Sequence, residues 1–500
     1  MSIKLPKTLL FILSFCVGLL LYVPSITGTP IWDDMPFWFG DPAMYQDFSY
    51  LRIWTNYGWP FSVTFQKLAL AVFKDQYVFY HVINFLLHFV NSLLVYSLGR
   101  RLRLKHPSIY FLLFFLHPVG VTSVAWMIQV KTLLCFGFAL SALLAYFKGL
   151  KDVRWMALSW VLFFLSVTSK SSSLTLPVIL LLISYRHFKF RKLHHVLPFL
   201  LISAWSGHRV LSSALTQEGV QSAKVVNDFK KPVAAPPLVS AGATVKKAPP
   251  LVSAKKIETP VAETTKVVPK PTVTVNHTQV PGKLSLLKSD GDLLLQTMFY
   301  YFWQSVLPLH TQPVKGLNFD DPGGKELTHL IFLVLLLILF RKQSLLLYLA
   351  AAHLLLIPFL GLIPAPFMNV TWVSDQHLYL ILPAFIGFWL KLLEKISWKH
   401  SSSIPVVFLL FYCYKTFEAN RWYKNQFVFY QSSLEYNPLN APIAYNLAYA
   451  HLHAGQWIDA YNVVEGVTSL ATQEPLLKKN IYYPHVESLY RQMTSTMEHK

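Results

Sequence analysis

Long stretches without a charged residue constrain this chain more than any other feature of its sequence. Thr8–Tyr22, Val78–Leu98 and Leu330–Phe340 contain no Asp, Glu, Lys or Arg. About 20 consecutive apolar residues span a bilayer as a helix. Charged residues make up only 14% of the chain, against about 25% in soluble proteins. The sequence therefore predicts an all-α polytopic membrane protein and excludes a soluble enzyme, a coiled coil or a disulfide scaffold as its main class.

The distribution of Lys and Arg predicts the topology. Cationic residues collect in short loops on the cytoplasmic side of a membrane protein. With the N-terminus inside, the predicted outer short loops contain only Lys131, Lys170, Lys315 and Lys325. The aromatic segment 293–309 is predicted as an interfacial helix, because an extra span would invert every later loop. The eleven predicted spans are 7–26, 77–98, 108–126, 130–147, 154–169, 173–187, 195–212, 327–340, 344–362, 377–393 and 404–417.

Three regions are predicted to lie outside the bilayer on the outer face. The loop 27–76 follows the first helix and carries several aspartates. An insert between the spans is rich in Lys, Pro, Ala and Val and repeats APPLVSA, a composition typical of disorder. The predicted organisation is an N-terminal membrane module at 1–212, a disordered insert at 213–290, an interfacial helix with C-terminal membrane helices at 291–417, and a helical tail at 418–500.

The tail has the pattern of paired helices. Ala444-Tyr445-Asn446-Leu447-Ala448 leads to Gly455, Trp457, Ala460 and Tyr461, the small and aromatic spacing of a tetratricopeptide unit. Only one unit is clear, and about three are needed for independent stability. We therefore expect the tail to pack on the membrane domain or on a partner. A plain helical hairpin is the alternative.

The first outer loop opens with Asp33 and Asp34 directly after Trp32. Adjacent carboxylates repel each other. They suit a general base, a metal ligand or an acceptor for sugar hydroxyls, and the alternative is ordinary solvated loop aspartates. No motif requires a cofactor, although a divalent metal is compatible with this acid pair.

The second predicted helix carries polar residues on one face. Asn84, His88 and Asn91 recur at helical spacing, and His81 joins them. Polar side chains in lipid are costly unless they face the bundle interior. These four residues therefore indicate either hydrogen bonds between helices or contact with a ligand.

Two lysines at predicted outer helix ends are candidates for anion binding. His117-Pro118 interrupts the third predicted helix, and Lys131 and Lys170 follow further along the chain. Proline breaks a helix and frees a backbone carbonyl. Each lysine could neutralise a phosphate or simply extend to the membrane interface.

Taken in order, these motifs resemble those of the GT-C superfamily of membrane glycosyltransferases. The order is WDD, YHVINFLLHFVN, HPVGVTSVAW, Lys131, SKSS and then Asp375-Gln376-His377-Leu378-Tyr379-Leu380 before the tail. The chain is most similar to the branch that joins a membrane domain to tetratricopeptide repeats, whose animal members are protein O-mannosyltransferases. The resemblance covers roughly 7–212 and 327–470.

The resemblance implies a hexosyltransferase of GT-C fold that moves a sugar from a polyprenyl-phosphate donor to a protein or envelope-glycan acceptor. Asp33 or Asp34 would be the base, on the extracytoplasmic face. The donor phosphate would bind Lys131, Lys170 and Arg209. The site would be lined by His81, Asn84, His88, His117, Asp375, His377 and Tyr379. The expected partners are the donor, the acceptor and membrane lipid, with no nucleic acid. The expected location is a bacterial inner membrane, with the insert and tail in the periplasm.

The chain departs from the family pattern at several polar positions. Thr122, Thr132 and Ser171 stand where the family usually has acids, and Gln376-His377 replaces most of a DRY-like turn. Either the donor head group is recognised differently or catalysis has been lost. The second possibility describes a non-catalytic membrane scaffold that binds lipid-linked sugar or partner proteins. A transporter is disfavoured, because no inverted repeat of broken helices is visible.

Overall fold

The computed structural model describes residues 6–39, 44, 50–188, 193–210, 212, 290–315, 334, 345–360, 371, 373–395, 403–473, 477–480 and 482–498. Within these ranges the regular structure is helical, apart from one isolated antiparallel bridge between Lys315 and Val373. The predicted all-α class is therefore confirmed for this part of the chain. The predicted insert, except Asp290, and nearly all of the predicted span 327–340 lie outside the described residues.

Eighteen α-helices can be followed along the described ranges. They are α1 (Lys7–Ile26), α2 (Tyr50–Asn56), α3 (Pro60–Phe73), α4 (Tyr77–Arg101), α5 (Pro107–Phe115), α6 (Gly120–Ala125), α7 (Val130–Gly149), α8 (Val153–Ser169), α9 (Leu176–Phe188), α10 (197–210), α11 (Asp290–Gln304), α12 (Leu345–Leu356), α13 (Asp375–Leu393), α14 (Ile404–Arg421), α15 (Gln426–Tyr436), α16 (Ala441–His453), α17 (Trp457–Gln473) and α18 (Tyr483–Glu498).

Among the described residues, four helices are long and apolar enough to cross a membrane. They are α1, α4, α7 with the short turn before it, and α13. Several other apolar helices are shorter, including α3, α8 and α12. The membrane class is therefore supported, but the predicted count of eleven spans is not confirmed.

The predicted span 108–126 is divided into two short helices. α5 ends at Phe115, and α6 begins only at Gly120, because Pro118 cannot continue the helix. The carbonyl groups freed by this break are hydrogen-bonded: the Phe115 oxygen by His88, and the Leu116 oxygen by the Thr416 hydroxyl at 2.8 Å. Irregular backbone at membrane depth needs such partners.

The tail is helical and packs into the rest of the protein. Fully buried Ala444 and Ala448 on α16 meet Ala460 and Val464 on α17. Small residues here allow the two helices to approach closely. An adjacent face of α16 contributes Ile443 and Leu447 to the main apolar core, which also contains residues of α1, α4, α5, α7 and α13. The tail therefore packs against the membrane helices.

Candidate functional site

The two first-loop carboxylates lie in different environments. Asp34 is fully buried, and its Oδ2 accepts a hydrogen bond from the Ile31 backbone N–H at 3.0 Å. Its Oδ1 accepts from the Ile128 backbone N–H at 2.8 Å. Burial raises the pKa of Asp34 to about 7, and the two backbone hydrogen bonds oppose this shift without cancelling it. Asp34 therefore fastens the first loop to the turn after α6, with both oxygens engaged.

Asp33 is only partly buried and faces a cation. Burial raises the pKa of Asp33, whereas the Lys131 ammonium group and the Trp32 side chain act in the opposite direction. Trp32 has a φ of 42°, in the left-handed region that non-glycine residues rarely adopt. Such strain costs on the order of 1–3 kcal/mol and persists where the surroundings enforce it. The strained turn therefore presents Asp33 within electrostatic range of Lys131.

An aromatic cluster covers the acid pair and joins it to the tail. The ring of Trp32 lies 5.7 Å from Phe429 and 5.9 Å from Tyr430, measured between centroids. Trp126 lies 6.3 Å from Phe429 on the other side. Burial raises the pKa of Tyr430, and Asp33 and Asp34 add to that shift. Helix α15 of the tail thus forms one wall of the site.

Two lysines interact electrostatically with each other, and one of them, Lys131, also interacts with both aspartates. Lys170 is buried, and its Nζ donates to Thr132 Oγ1 at 2.8 Å and to Gln129 Oε1 at 3.3 Å. Lys131 extends over the Trp59 ring, 5.1 Å from its centroid, and interacts electrostatically with Lys170. Lys170 has only neutral hydrogen-bonding partners in the described part of the chain. The pair is therefore a place where an anion would be favoured.

Arg209 hydrogen-bonds the first outer loop and makes no hydrogen bond to the described residues of the lysine pair. Its guanidinium donates to the backbone oxygens of Tyr57 at 2.8 Å and Thr55 at 3.2 Å, and it lies 5.1 Å from the Trp205 ring. These contacts fix the end of α2 against α10. The predicted phosphate role of Arg209 remains a prediction.

The polar face of α4 makes hydrogen bonds between helices. His88 Nε2 lies 3.0 Å from the Phe115 carbonyl oxygen, which can only accept, so this nitrogen carries the proton. Nδ1 then accepts from the Tyr379 hydroxyl at 2.8 Å. Asn91 donates to the Leu133 oxygen at 3.0 Å. Asn84 donates to three carbonyls, those of Val124, Trp126 and Met127, each at 3.2 Å.

His117 and His81 differ in how far their rings are satisfied. His117 accepts from the Val119 N–H at 3.2 Å and donates to the Ser305 oxygen at 3.2 Å. His81 is 2% exposed, and neither of its ring nitrogens makes a well-formed hydrogen bond, although the Ala125 backbone approaches it. Among the predicted site-lining residues on α4, His81 therefore has the most ring nitrogens still able to hydrogen-bond a ligand.

Asp375 and His377, at the start of α13, form a separate polar cluster. Asp375 makes a buried ion pair with Lys315 at 2.6 Å and also accepts from Gln304 at 3.2 Å and Tyr300 at 3.3 Å. His377 stacks on Phe359 with the ring centroids 4.3 Å apart and interacts electrostatically with Lys170. This cluster therefore borders the lysine pair.

Sequence reasoning missed several residues that the fold brings to these clusters. Lys315 appeared only as an outer-loop cation, Trp126 only as the last residue of HPVGVTSVAW, and Tyr430 in no motif. The one available signal was the unusual density of aromatic residues near the acidic loop and at the start of the tail. Among the described residues, no group of three His, Cys, Asp or Glu side chains is placed to hold a metal ion.

The raised pKa of Asp34 predicts a pH dependence of stability. An unfolded aspartate titrates near pH 3.9, so the folded chain prefers the protonated form. This contribution is fully present below about pH 4 and is lost as the pH rises through about 7. We expect the thermal midpoint of the detergent-solubilised protein to fall between pH 4.5 and 8, all else being equal. The thermal midpoint of the Asp34→Asn variant should be lower than that of wild type at pH 4.5 and should change less with pH. An identical pH dependence of the two midpoints would contradict this role of Asp34.

Comparison with known proteins identifies no relative of this chain. No family model, no curated protein and no solved structure matches the chain.

Proposed function

We propose that this protein is a membrane glycosyltransferase of GT-C type, which transfers a sugar from a polyprenyl-phosphate donor to a hydroxyl group of a protein or envelope glycan. The observation that carries this assignment is a series of interacting charges: the partly buried Asp33 interacts electrostatically with Lys131, and Lys131 interacts with the buried Lys170, whose Nζ donates to Thr132 at 2.8 Å. Such a transfer requires a base for the acceptor hydroxyl and an anion site for the phosphate leaving group, and these residues provide both.

Asp33 is assigned as the general base. Its carboxylate would take the proton of the acceptor hydroxyl while the hydroxyl oxygen attacks the anomeric carbon of the donor sugar. The bond from that carbon to the phosphate oxygen breaks, and polyprenyl phosphate leaves with the electron pair. Lys131 and Lys170 would stabilise the developing negative charge. Attack from the face opposite the phosphate inverts the anomeric centre.

Asp34 is assigned as a positioning residue. Its side chain is fully buried and both oxygens accept backbone hydrogen bonds, so it is not placed to meet an acceptor hydroxyl. Its role is to fix the loop that presents Asp33. The two adjacent carboxylates are therefore assigned different roles: Asp33 is the base and Asp34 holds the loop in place.

The tail is assigned to acceptor recognition. Phe429 and Tyr430 of α15 pack on Trp32, beside the proposed base. An acceptor reaching Asp33 would therefore contact the tail, which we assign as tetratricopeptide-like. We place the site on the outer face of a bacterial inner membrane, with the tail in the periplasm.

The function is tested with the full-length protein in liposomes and a panel of radiolabelled polyprenyl-phosphate hexoses. Wild type should release polyprenyl phosphate and label an acceptor fraction from the cell envelope. Lys170→Met should raise the KM for the donor by about 10- to 100-fold, since a hydrogen bond to a charged group contributes about 1.5–3 kcal/mol. Lys148→Met is the matched control, because Lys148 is exposed at the other end of α7.

A non-catalytic scaffold is the second candidate, and a specific observation favours it. Thr122 and Thr132, which replace family acids, are engaged in internal hydrogen bonds: Tyr423 donates to Thr122 at 2.9 Å, and Thr132 contacts Lys170. These positions are thus adapted to neutral side chains. If the liposomes bind donor, with weaker binding by Lys170→Met, but never turn it over, the scaffold is correct and the enzyme is not.

A further inference from the structure

A crevice separate from the acid pair opens where α1 and α14 end. Its volume is about 480 Å³. The two helices are joined beside it by a hydrogen bond from Ser25 to the Asn420 side chain at 2.7 Å and by one from the Thr29 N–H to the Lys424 oxygen at 3.0 Å. The crevice is therefore built on fixed backbone. It is lined by Pro24, Thr27, Phe417, Arg421, Trp422, Lys424 and Val428.

Exposed apolar stripes on both helices lead to this crevice. On α14, Leu410 is 69% exposed, and the exposed side chains of Tyr414 and Phe417 follow it at helical spacing. On α1, Leu20 and Val23 are exposed one turn before the crevice. An apolar stripe on a membrane protein that no described part of the chain covers suits contact with acyl chains. The crevice thus lies where hydrocarbon contact gives way to polar surface.

The charge in the crevice is unbalanced. Arg421 and Lys424 are both exposed, and neither forms an ion pair with any described residue. Lys415, two turns earlier on α14, pairs instead with Glu418. No carboxylate is among the described residues that line the crevice. Trp422 adds an indole ring of the kind enriched at membrane interfaces.

We propose that this crevice binds the phosphate head group of an anionic phospholipid, with Arg421 and Lys424 on the phosphate and the acyl chains along the stripes of α1 and α14. Basic pockets between membrane helices bind anionic head groups in this way. The apolar stripes select a lipid over a soluble anion, because a soluble anion would leave them uncovered. A bound lipid would also brace the backbone at Thr29 and Lys424, from which the chain continues to the acid pair and to α15.

The test measures the thermal midpoint of the delipidated full-length protein in detergent, with added phosphatidylglycerol or phosphatidylcholine of the same acyl chains. Phosphatidylglycerol should raise the midpoint more than phosphatidylcholine does. Arg421→Gln/Lys424→Gln should lose most of that difference. Lys148→Gln/Lys151→Gln, which removes two exposed lysines from elsewhere, should keep it.

Three results would overturn the lipid site. They are equal shifts with both lipids, an undiminished phosphatidylglycerol shift in the Arg421→Gln/Lys424→Gln variant, or the same shift from glycerol phosphate alone, which would indicate a free-anion site. Because the readout is stability, it does not depend on sugar transfer, and the lipid site and the proposed function can fail separately.

Discussion

Replacing Asp33 by asparagine is expected to lower the rate of sugar transfer by about 10²–10⁴-fold, the usual contribution of a general base. Asparagine keeps the size of the side chain but cannot take a proton from the acceptor. Asp33 is partly exposed and does not anchor the loop as Asp34 does. The variant should therefore remain folded. The measurement is the initial rate in liposomes at saturating donor, with the thermal midpoint determined in parallel.

Two controls separate catalysis from structure. Asp75→Asn removes an exposed carboxylate at the end of the same loop and should keep the wild-type rate. Asp34→Asn loses an acceptor for one backbone N–H and should lower the thermal midpoint as well as the rate. If Asp33→Asn retains the full rate, the base lies elsewhere and the assignment of Asp33 is wrong.

The helical class could be predicted because it depends on local sequence. Apolar runs and helix breakers act within a few residues, so α1, α4, α7 and α13 begin within a few residues of their predicted positions. The break at Pro118 follows from the same local chemistry. The number of spans does not, because a short apolar helix can cross a bilayer, enter it partway or pack inside a bundle.

The grouping of the site residues could be predicted only in part. Asp33 and Asp34 are equivalent in sequence, and they differ because the Ile128 N–H, 94 residues away, reaches only Asp34. The contact of Trp32 with Tyr430 likewise depends on tertiary packing. Polar spacing on α4 did indicate the hydrogen bonds of His88 and Asn91, since one face of a helix meets one set of neighbours.

The buried Lys315–Asp375 ion pair predicts the largest effect on stability. Both side chains are almost fully buried, 2.6 Å apart. Asp375→Asn would leave the Lys315 ammonium group without its counter-charge, and breaking a buried pair in this way costs about 3–5 kcal/mol. We expect a marked fall in the thermal midpoint of the purified protein. Lys391→Met, which breaks the more exposed pair with Glu394, should cost no more than about 1 kcal/mol.

A double variant distinguishes loss of the pair from loss of either side chain. Lys315→Met/Asp375→Leu removes both charges, so it should be more stable than Asp375→Asn alone, because no uncompensated charge stays buried. Equal stability of the single and double variants would contradict this. The pair also fixes the start of α13, where His377 lies near Lys170. We therefore expect Asp375→Asn to weaken donor binding through the lysine pair, and the double variant to recover part of that binding along with its stability.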